Sequence, residues 1–429
     1  MSRSQNITLE DFKKLTERDA VAIRGRAILE PAGGPGDKIF PPTHSVADNE
    51  KRPGAKYAFE TRRRDKSDVT CVLIDSVQSQ ANRMEEALQA LWANKKLTLP
   101  VIEVDLSAAA PDVGKVTSLT APHRVADALL RDSSVNENGS STLFRMSTLG
   151  RSFTDATPRN AGPLFRVCPT GLVFGIWDST GPKGGMGTKF ARVLTSEIVG
   201  IGATKGAKTA SRIDPTSIVT ASATIYVSAN PDVVGCPWTE NWKEAKRIDP
   251  KKELSAENAE KWGKKDKAGK PSAINHSNFP PTIDEVAGGV TIDHAEHTIV
   301  LSLAGLRRLD FKEGASEART VLAALGLVAV LAAESRGHDL RSRCLLVPQE
   351  GNALALKAVA PDGSTTPLTL DLEGALALYE EAVRTLPAPL KFEKPAGEPL
   401  ATLTPSAKLA HLITESRRLA ATGVDVGDQ

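Results

Sequence analysis

The stretch Val69-Thr-Cys-Val-Leu-Ile-Asp-Ser-Val-Gln-Ser-Gln-Ala-Asn-Arg-Met-Glu-Glu-Ala-Leu88 changes character halfway. Its first residues are β-branched and apolar, the pattern of a buried strand. From Asp75 onward it is polar, with Ser76, Gln78, Ser79, Gln80, Asn82 and Arg83 in close succession. On a helical wheel Val77, Ala81, Met84, Leu88 and Leu91 share one face, with Ser76, Ser79 and Arg83 opposite. The stretch therefore predicts a strand running directly into an amphipathic helix, capped by Asp75 or Ser76. A solvated helix face is usually rich in Lys and Glu. This one carries Ser, Gln and Asn, which suit hydrogen bonds to sugar and phosphate, and the free N–H groups of a helix start favour anions.

Other strands and helices fall around this pair. Ala20–Leu29 alternates apolar and polar residues, a strand pattern, and is followed by a Gly- and Pro-rich loop. Leu97–Leu106 reads as a further strand. Thr120–Asp132 reads as a helix, with Thr120 as N-cap and Pro122 in the first turn. Pro169–Gly202 reads as strand, glycine-rich loop and a second extended segment, and Gly202–Pro215 as a hairpin arm. Cys236 to Pro281 is mixed in charge and poor in aliphatic residues, so an exposed insertion is expected. Beyond it come a strand at His297–Leu306, a helix at Ser316–Ser335, strands at Arg341–Gln349 and Asn352–Ala360, and a helix at Asp371–Leu386. Strand, helix, strand, strand, helix is part of a split βαβ, ferredoxin-like arrangement, which the earlier strands near Ala20 and Val69 can complete. The tail from Lys391 holds one amphipathic helix.

Composition narrows the function. The 429 residues carry a net charge of +2, so the molecule as a whole does not declare a polyanion partner. Two segments do. Lys51–Lys66 has seven basic residues against two acidic, and Pro182–Arg212 has six against one. Each is net +5, so the remainder is about −8, and such asymmetry marks a polyanion-binding face. Four dispersed cysteines without a CxxC pair fit a reducing cytosol and argue against a disulfide framework or a cysteine-rich zinc site. The amino terminus has no apolar core of the kind a signal peptide needs. The longest apolar run, Thr320–Ala333, falls short of the roughly 20 residues a membrane span needs and predicts a buried helix. A cytoplasmic protein is expected.

The catalytic signals are thin. In Gly181–Arg192 the order Gly187-Thr188-Lys189 inverts the Gly-Lys-Ser/Thr of a nucleotide-binding P-loop. His294 and His297 stand three apart at the start of a predicted strand, where such residues face opposite ways, so no metal site is expected there. No Ser/His/Asp or paired-carboxylate arrangement stands out. Aromatic residues make up only 4% of the chain, so RNA would be held through backbone and shape.

Asp75–Leu88, Ala121–Ser133, Pro169–Gly200 and Ala210–Pro215, taken together and in order, resemble the CRISPR-associated RAMP protein that forms the backbone of the type I-U (I-G) Cascade complex. The resemblance covers most of residues 20 to 230, and the motif around Trp177 is its most specific part. It implies an α+β, ferredoxin-like (RRM-like) palm with inserted finger or web segments and a thumb-like β-hairpin. On that scheme residues 1–235 form the first part of the palm, with the web at about 31–68 and the glycine-rich loop and thumb at about 181–215. Residues 236–290 form the charged insertion, 291–390 the second part of the palm, and 391–429 the helical tail.

The resemblance also implies copies stacked in a helical filament along one guide RNA (crRNA), kinking it and leaving bases free to pair with target DNA beside other Cascade subunits. It implies no catalysis and no cofactor. Ser79, Asn82 and Arg83 would line the RNA groove, with His123 and Arg124 near it. Lys183, Lys189 and Arg192 would lie on the glycine-rich loop, and Lys205, Lys208 and Arg212 on or near the thumb. The alternative is a RAMP-type endoribonuclease cutting repeat or target RNA, with His123 or Asp37 as its acid–base group.

Overall fold

A computed structural model describes residues 7–45, 56–178, 180, 188–230, 236–263 and 269–421. The chain divides into two compact units, one of residues 1–206 with 289–410 and one of residues 207–288 with 411–429.

The first unit is built on a nine-stranded antiparallel sheet. Its elements are β1 (Ala22–Pro31), β2 (Phe59–Arg64), β3 (Ser67–Asp75), α1 (Val77–Ala93), β4 (Leu194–Ile201), β5 (His294–Ser302), α2 (Ala315–Glu334), β6 (His338–Arg341), β7 (Cys344–Pro348), β8 (Ala355–Val359), β9 (Thr365–Leu368) and α3 (Leu372–Arg384). The spatial order is β6-β7-β1-β5-β4-β3-β2. β8 joins the first half of β1 on the edge whose second half takes β7, and β9 pairs with β8. Helices α1 and α2 pack on each other, α1 also lies against β4, and α3 covers α2.

The strand pattern is written in β1. Ile23, Gly25, Ala27 and Leu29 are buried while Arg24 and Arg26 are exposed, the two-residue period of a sheet with one covered face. The long apolar run is α2, and thirteen of its twenty residues are buried. It is long and apolar enough to cross a membrane, yet most of it lies inside the protein against α1 and α3. Gly200 lets the sheet close up: a Cβ there would come within 2.9 Å of both Ile292 and Val72.

A second, five-stranded sheet in the same unit takes the order Lys115–Thr117, Ile102–Asp105, Ala401–Pro405, Ser133–Glu137, Ser140–Leu143. The tail is thus more than a helix, because Ala401–Pro405 runs parallel to Ile102–Asp105 in the middle of this sheet. The last described element is the helix Ala407–Ala421.

Two local expectations are corrected. Pro169–Val173 is a helical turn, not a strand, with Pro169 at its first position and every residue buried. Thr120–Asp132 is not one helix. Arg124 has φ +55°, which breaks it into a 3-10 turn (Arg124–Ala126) and a short helix (Ala128–Arg131) capped by Asp127.

In the second unit Lys208–Arg212 pairs with Phe279–Asp284 rather than with a neighbouring segment, so residues 213–278 lie between the two strands. A small cluster of Tyr226, Ala245 and Ala259, with Trp242 against it, forms a core there.

Candidate nucleic-acid interface

The polar start of α1 is partly internal. Ser76 caps the helix, its Oγ accepting from the Ser79 backbone N–H at 3.2 Å. Asp75 is fully buried and accepts from Gln80 Nε2 at 2.7 Å and Arg83 Nε at 3.0 Å. Arg83 also donates to the Leu340 carbonyl at 2.8 Å. The guanidinium expected to meet RNA therefore ties α1 to the end of β3 and to β6. Ser79 is half-buried and Asn82 is exposed. The buried face holds Ala81, Met84 and Leu88 as expected, together with Gln80, Glu85, Ala87 and Trp92, while Val77 and Leu91 are only half-buried.

Glu85 explains the break at Arg124. Left-handed backbone turns the Arg124 side chain inward, where Nε and Nη2 grip the Glu85 carboxylate at 2.7 Å each and Nη1 donates to the Gly175 carbonyl at 3.1 Å. Burial pushes the Glu85 carboxyl up to about 7, against the pull of Arg124. Arg192 lies nearby, its Nε donating to the Phe174 carbonyl at 2.9 Å. Burial and the charge of Arg124 hold Arg192 below the usual arginine range.

Around this buried pair opens a cleft whose lining includes His123, Arg124, Arg131, Trp177, Lys189 and Arg192. His123 is exposed. Trp177 is 58% exposed, with the Lys189 ammonium 5.6 Å from its ring centre. Their placement comes from the two-residue ladder Ile176–Trp177 with Lys189–Phe190, which puts Trp177 directly opposite Lys189. Asp178, just after Trp177, accepts two hydrogen bonds from Arg145 Nη2, at 2.9 and 3.0 Å. Four of the residues singled out in the sequence, His123, Arg124, Lys189 and Arg192, thus share one cleft. Lys183 lies outside the described residues.

Lys205 is exposed, its ammonium 5.6 Å from the Phe59 ring centre. Lys208 and Arg212 belong to the second unit, where Lys208 pairs with Asp284 at 3.4 Å and Arg212 lies opposite Phe279. Asp37 stands in an exposed turn, accepting from the Lys38 backbone N–H at 2.8 Å, and lines a different pocket with Arg343.

The open face of the large sheet adds cations that sequence reasoning passed over. Arg24, Arg26, Arg64 and Lys357 line one shallow surface with Glu296 and Thr298. Arg26 and Arg64 both pair with Glu296. Arg24 and Lys357 sit directly across from each other in the β1–β8 ladder, and neither makes an ion pair with a described residue. Like charges facing across a ladder repel, and a bound anion would relieve that repulsion. The signal was available as the polar positions of the β1 alternation.

Comparison with known proteins gives a partial match. Residues 23–205, less than half of the chain, match the family described as CRISPR-associated protein GSU0053 (Cas_GSU0053). The match supports a CRISPR-associated protein. No curated protein matches. Among solved structures, a chain described as "CRISPR RNA-guided surveillance complex, pre-nicking" is 12% identical, with 94% of this chain and all of that one covered and a TM-score of 0.31. At that score the likeness carries no argument about fold or function.

Proposed function

We propose that the protein is a non-enzymatic guide-RNA-binding subunit that polymerises along the guide as the backbone of a Cascade-type complex in the cytoplasm. One observation carries the reading: the exposed Trp177–Lys189 pair beside His123 and Arg192 in a single cleft. An aromatic face for a base, with a cation beside it for phosphate, is how sequence-tolerant single-strand binders work. The family match over residues 23–205 supports the CRISPR setting. The guide must be held whatever its letters, so contacts to phosphate and ribose suffice.

The topology supports a ferredoxin-like RAMP palm. The order β7-β1-β5-β4, with α1 between β1 and β4 in sequence and α2 joining β5 to the β6–β7 hairpin, fits a split βαβ pair in which β2 and β3 add an edge and strands of the second sheet are inserted between α1 and β4. On this reading Arg83 and Arg124 position the groove from inside. Ser79, Asn82, His123, Lys189, Arg192 and Lys205 meet the RNA, as do Lys208 and Arg212 on the thumb. Target DNA is met only through the guide. The endoribonuclease alternative would use either His123, in this cleft, or Asp37, in a different pocket, and RNA cleavage by the purified protein would favour it.

The test is co-expression of the chain with a repeat–spacer transcript, purification, and sequencing of the RNA that travels with it. Uncleaved, length-defined guide in multimeric particles is expected. A monomer free of RNA, or purified protein that cuts the repeat in a His123-dependent way, contradicts the proposal.

A further inference from the structure

Beneath α1, on the covered side of the sheet, lies a cavity of about 180 Å³ whose lining includes Gln80, Arg83, Ser196, His297, Glu334 and His338. Three of these come from three different elements: His297 from the inward face of β5, Glu334 from the end of α2, and His338 from the start of β6. His338 Nε2 lies 3.0 Å from Glu334 Oε1, and His297 Nδ1 lies 3.4 Å from Glu334 Oε2. One donor atom from each of the three falls within 4.8 Å of the others.

Hydrogen bonding fixes how His297 presents itself. Gln80 uses its amide N–H on Asp75, so its Oε1 faces Ser196 and accepts from the Ser196 hydroxyl at 2.9 Å. The Ser196 oxygen is then left to accept from His297 Nε2–H, 2.8 Å away. In the neutral ring, Nδ1 therefore carries the lone pair. That atom is buried, has no hydrogen-bond partner, and points at the Glu334 carboxylate. The other Glu334 oxygen lies against His338 Nε2, so one carboxylate faces both rings. Two lone-pair donors facing each other need a positive centre between them.

We propose that His297, Glu334 and His338 bind a divalent transition-metal ion of the zinc type, which fastens α2, β5 and β6 together beneath α1. Two imidazoles and a carboxylate are a zinc donor set, and bond lengths of about 2.0–2.1 Å place tetrahedral ligand atoms about 3.3 Å apart. His338 Nε2 lies 3.0 Å from one Glu334 oxygen and His297 Nδ1 lies 3.4 Å from the other, both near that value, and the three donor atoms fall within 4.8 Å of one another. Ser196 supplies the outer hydrogen bond that orients a ligating histidine. The fourth position faces the cavity, where water or a small ligand can complete the shell. The charge of Arg83 is taken up by Asp75 and leaves the site available to a cation. His294, with which His297 pairs by sequence spacing, has no part in the site, because it contacts Glu296 on the other face of β5.

The test is titration of tag-free, chelator-treated full-length protein with Co²⁺ and with Zn²⁺. One ion per chain is expected, with the visible bands of four-coordinate cobalt. Binding should be lost in H297Q/H338Q, kept in H294Q, and weakened about 10- to 100-fold in S196A. X-ray absorption on the zinc-loaded wild type needs no variant to fold, and should show two imidazoles and oxygen in the first shell. Failure of the wild type to bind either ion would overturn the proposal and leave a triad that shares only protons. Undiminished binding in folded H297Q/H338Q, or a first shell with sulfur or without imidazole, would overturn it equally.

Discussion

Replacing Arg124 by Met strips the Glu85 carboxylate of its guanidinium partner in a site where it is only 2% exposed. Three hydrogen bonds disappear, two to the carboxylate and one to Gly175. Stranding one member of a buried ion pair costs about 3–5 kcal/mol. The loss should depend on pH, and the sign follows from Glu85. Burial raises its carboxyl from 4.5 to about 7 in the folded wild type. The folded state therefore holds a proton that the unfolded chain releases. This stabilisation is full below 4.5 and is lost as pH rises through 7. Without Arg124 the carboxyl rises further, so the variant still gains from protonation between pH 8 and 6, where the wild type has gained part of it already. At about 1.4 kcal/mol per pH unit, the variant's deficit should be smaller at pH 6 than at pH 8 by roughly that amount. Hydrogen-exchange protection of α1 reads this local opening directly. At pH 8 a loss of 3–5 kcal/mol means protection factors about 150- to 5,000-fold lower, at about 1.4 kcal/mol per factor of ten. The double variant E85L/R124M, with both charges replaced by apolar groups, should recover most of the loss. Protection in R124M within a factor of five of wild type, or E85L/R124M no better than R124M, would refute the reasoning.

The same logic separates Arg83 from the RNA-facing residues. R83M should expose α1 to exchange by about 1.5–3 kcal/mol, because Asp75 loses a charged donor, while the fraction that remains folded binds RNA with wild-type affinity. W177A should leave α1 protection unchanged and weaken single-stranded RNA binding by about 1–3 kcal/mol, the usual contribution of one stacked base, measured by fluorescence anisotropy. A thiol reagent should find one reactive cysteine in the native protein and four after denaturation. Cys71, Cys168 and Cys344 are buried, and burial pushes the Cys344 thiol up to about 11, whereas Cys236 is partly accessible. More than one fast-reacting thiol in the native protein would contradict the packing.

The long elements were legible because each follows one period over many residues. The alternation in β1 and the apolar run of α2 survive any local detail. The misread segments are short and governed by distant contacts. Pro169–Val173 is an apolar run too brief for periodicity to separate helix from strand. Thr120–Asp132 carries good helix-start residues, but Arg124 must turn inward to reach Glu85, thirty-nine positions back. Likewise the covered face of α1 includes Gln80 and Glu85, which no hydrophobic wheel would select, because Gln80 bonds Asp75 just ahead of the helix and the partners Ser196 and Arg124 arrive from elsewhere in the fold. In the interface, charge counting found Lys189 and Arg192 but could not tell an exposed cation from a bonded one, so Arg83 and Arg124 look alike in sequence to Lys189. Trp177 was visible as part of a motif, but its exposure, which makes it a stacking surface, depends on the small ladder with Lys189. The strand partner of Lys208–Arg212 lies beyond a long insertion, and no local pattern announces it.

The most direct measurement is RNA affinity as a function of salt, for the wild type and for W177A/K189E, on two guides of unrelated sequence. The account predicts equal affinity for both guides and a steep decline with salt, about 0.7 in log K per log salt for each phosphate neutralised on a single strand. It also predicts a shallower slope and a loss of at least tenfold in the variant, whose stacking face and cation are both gone. Salt-independent binding, preference for one guide sequence, or wild-type affinity in a folded W177A/K189E would contradict it.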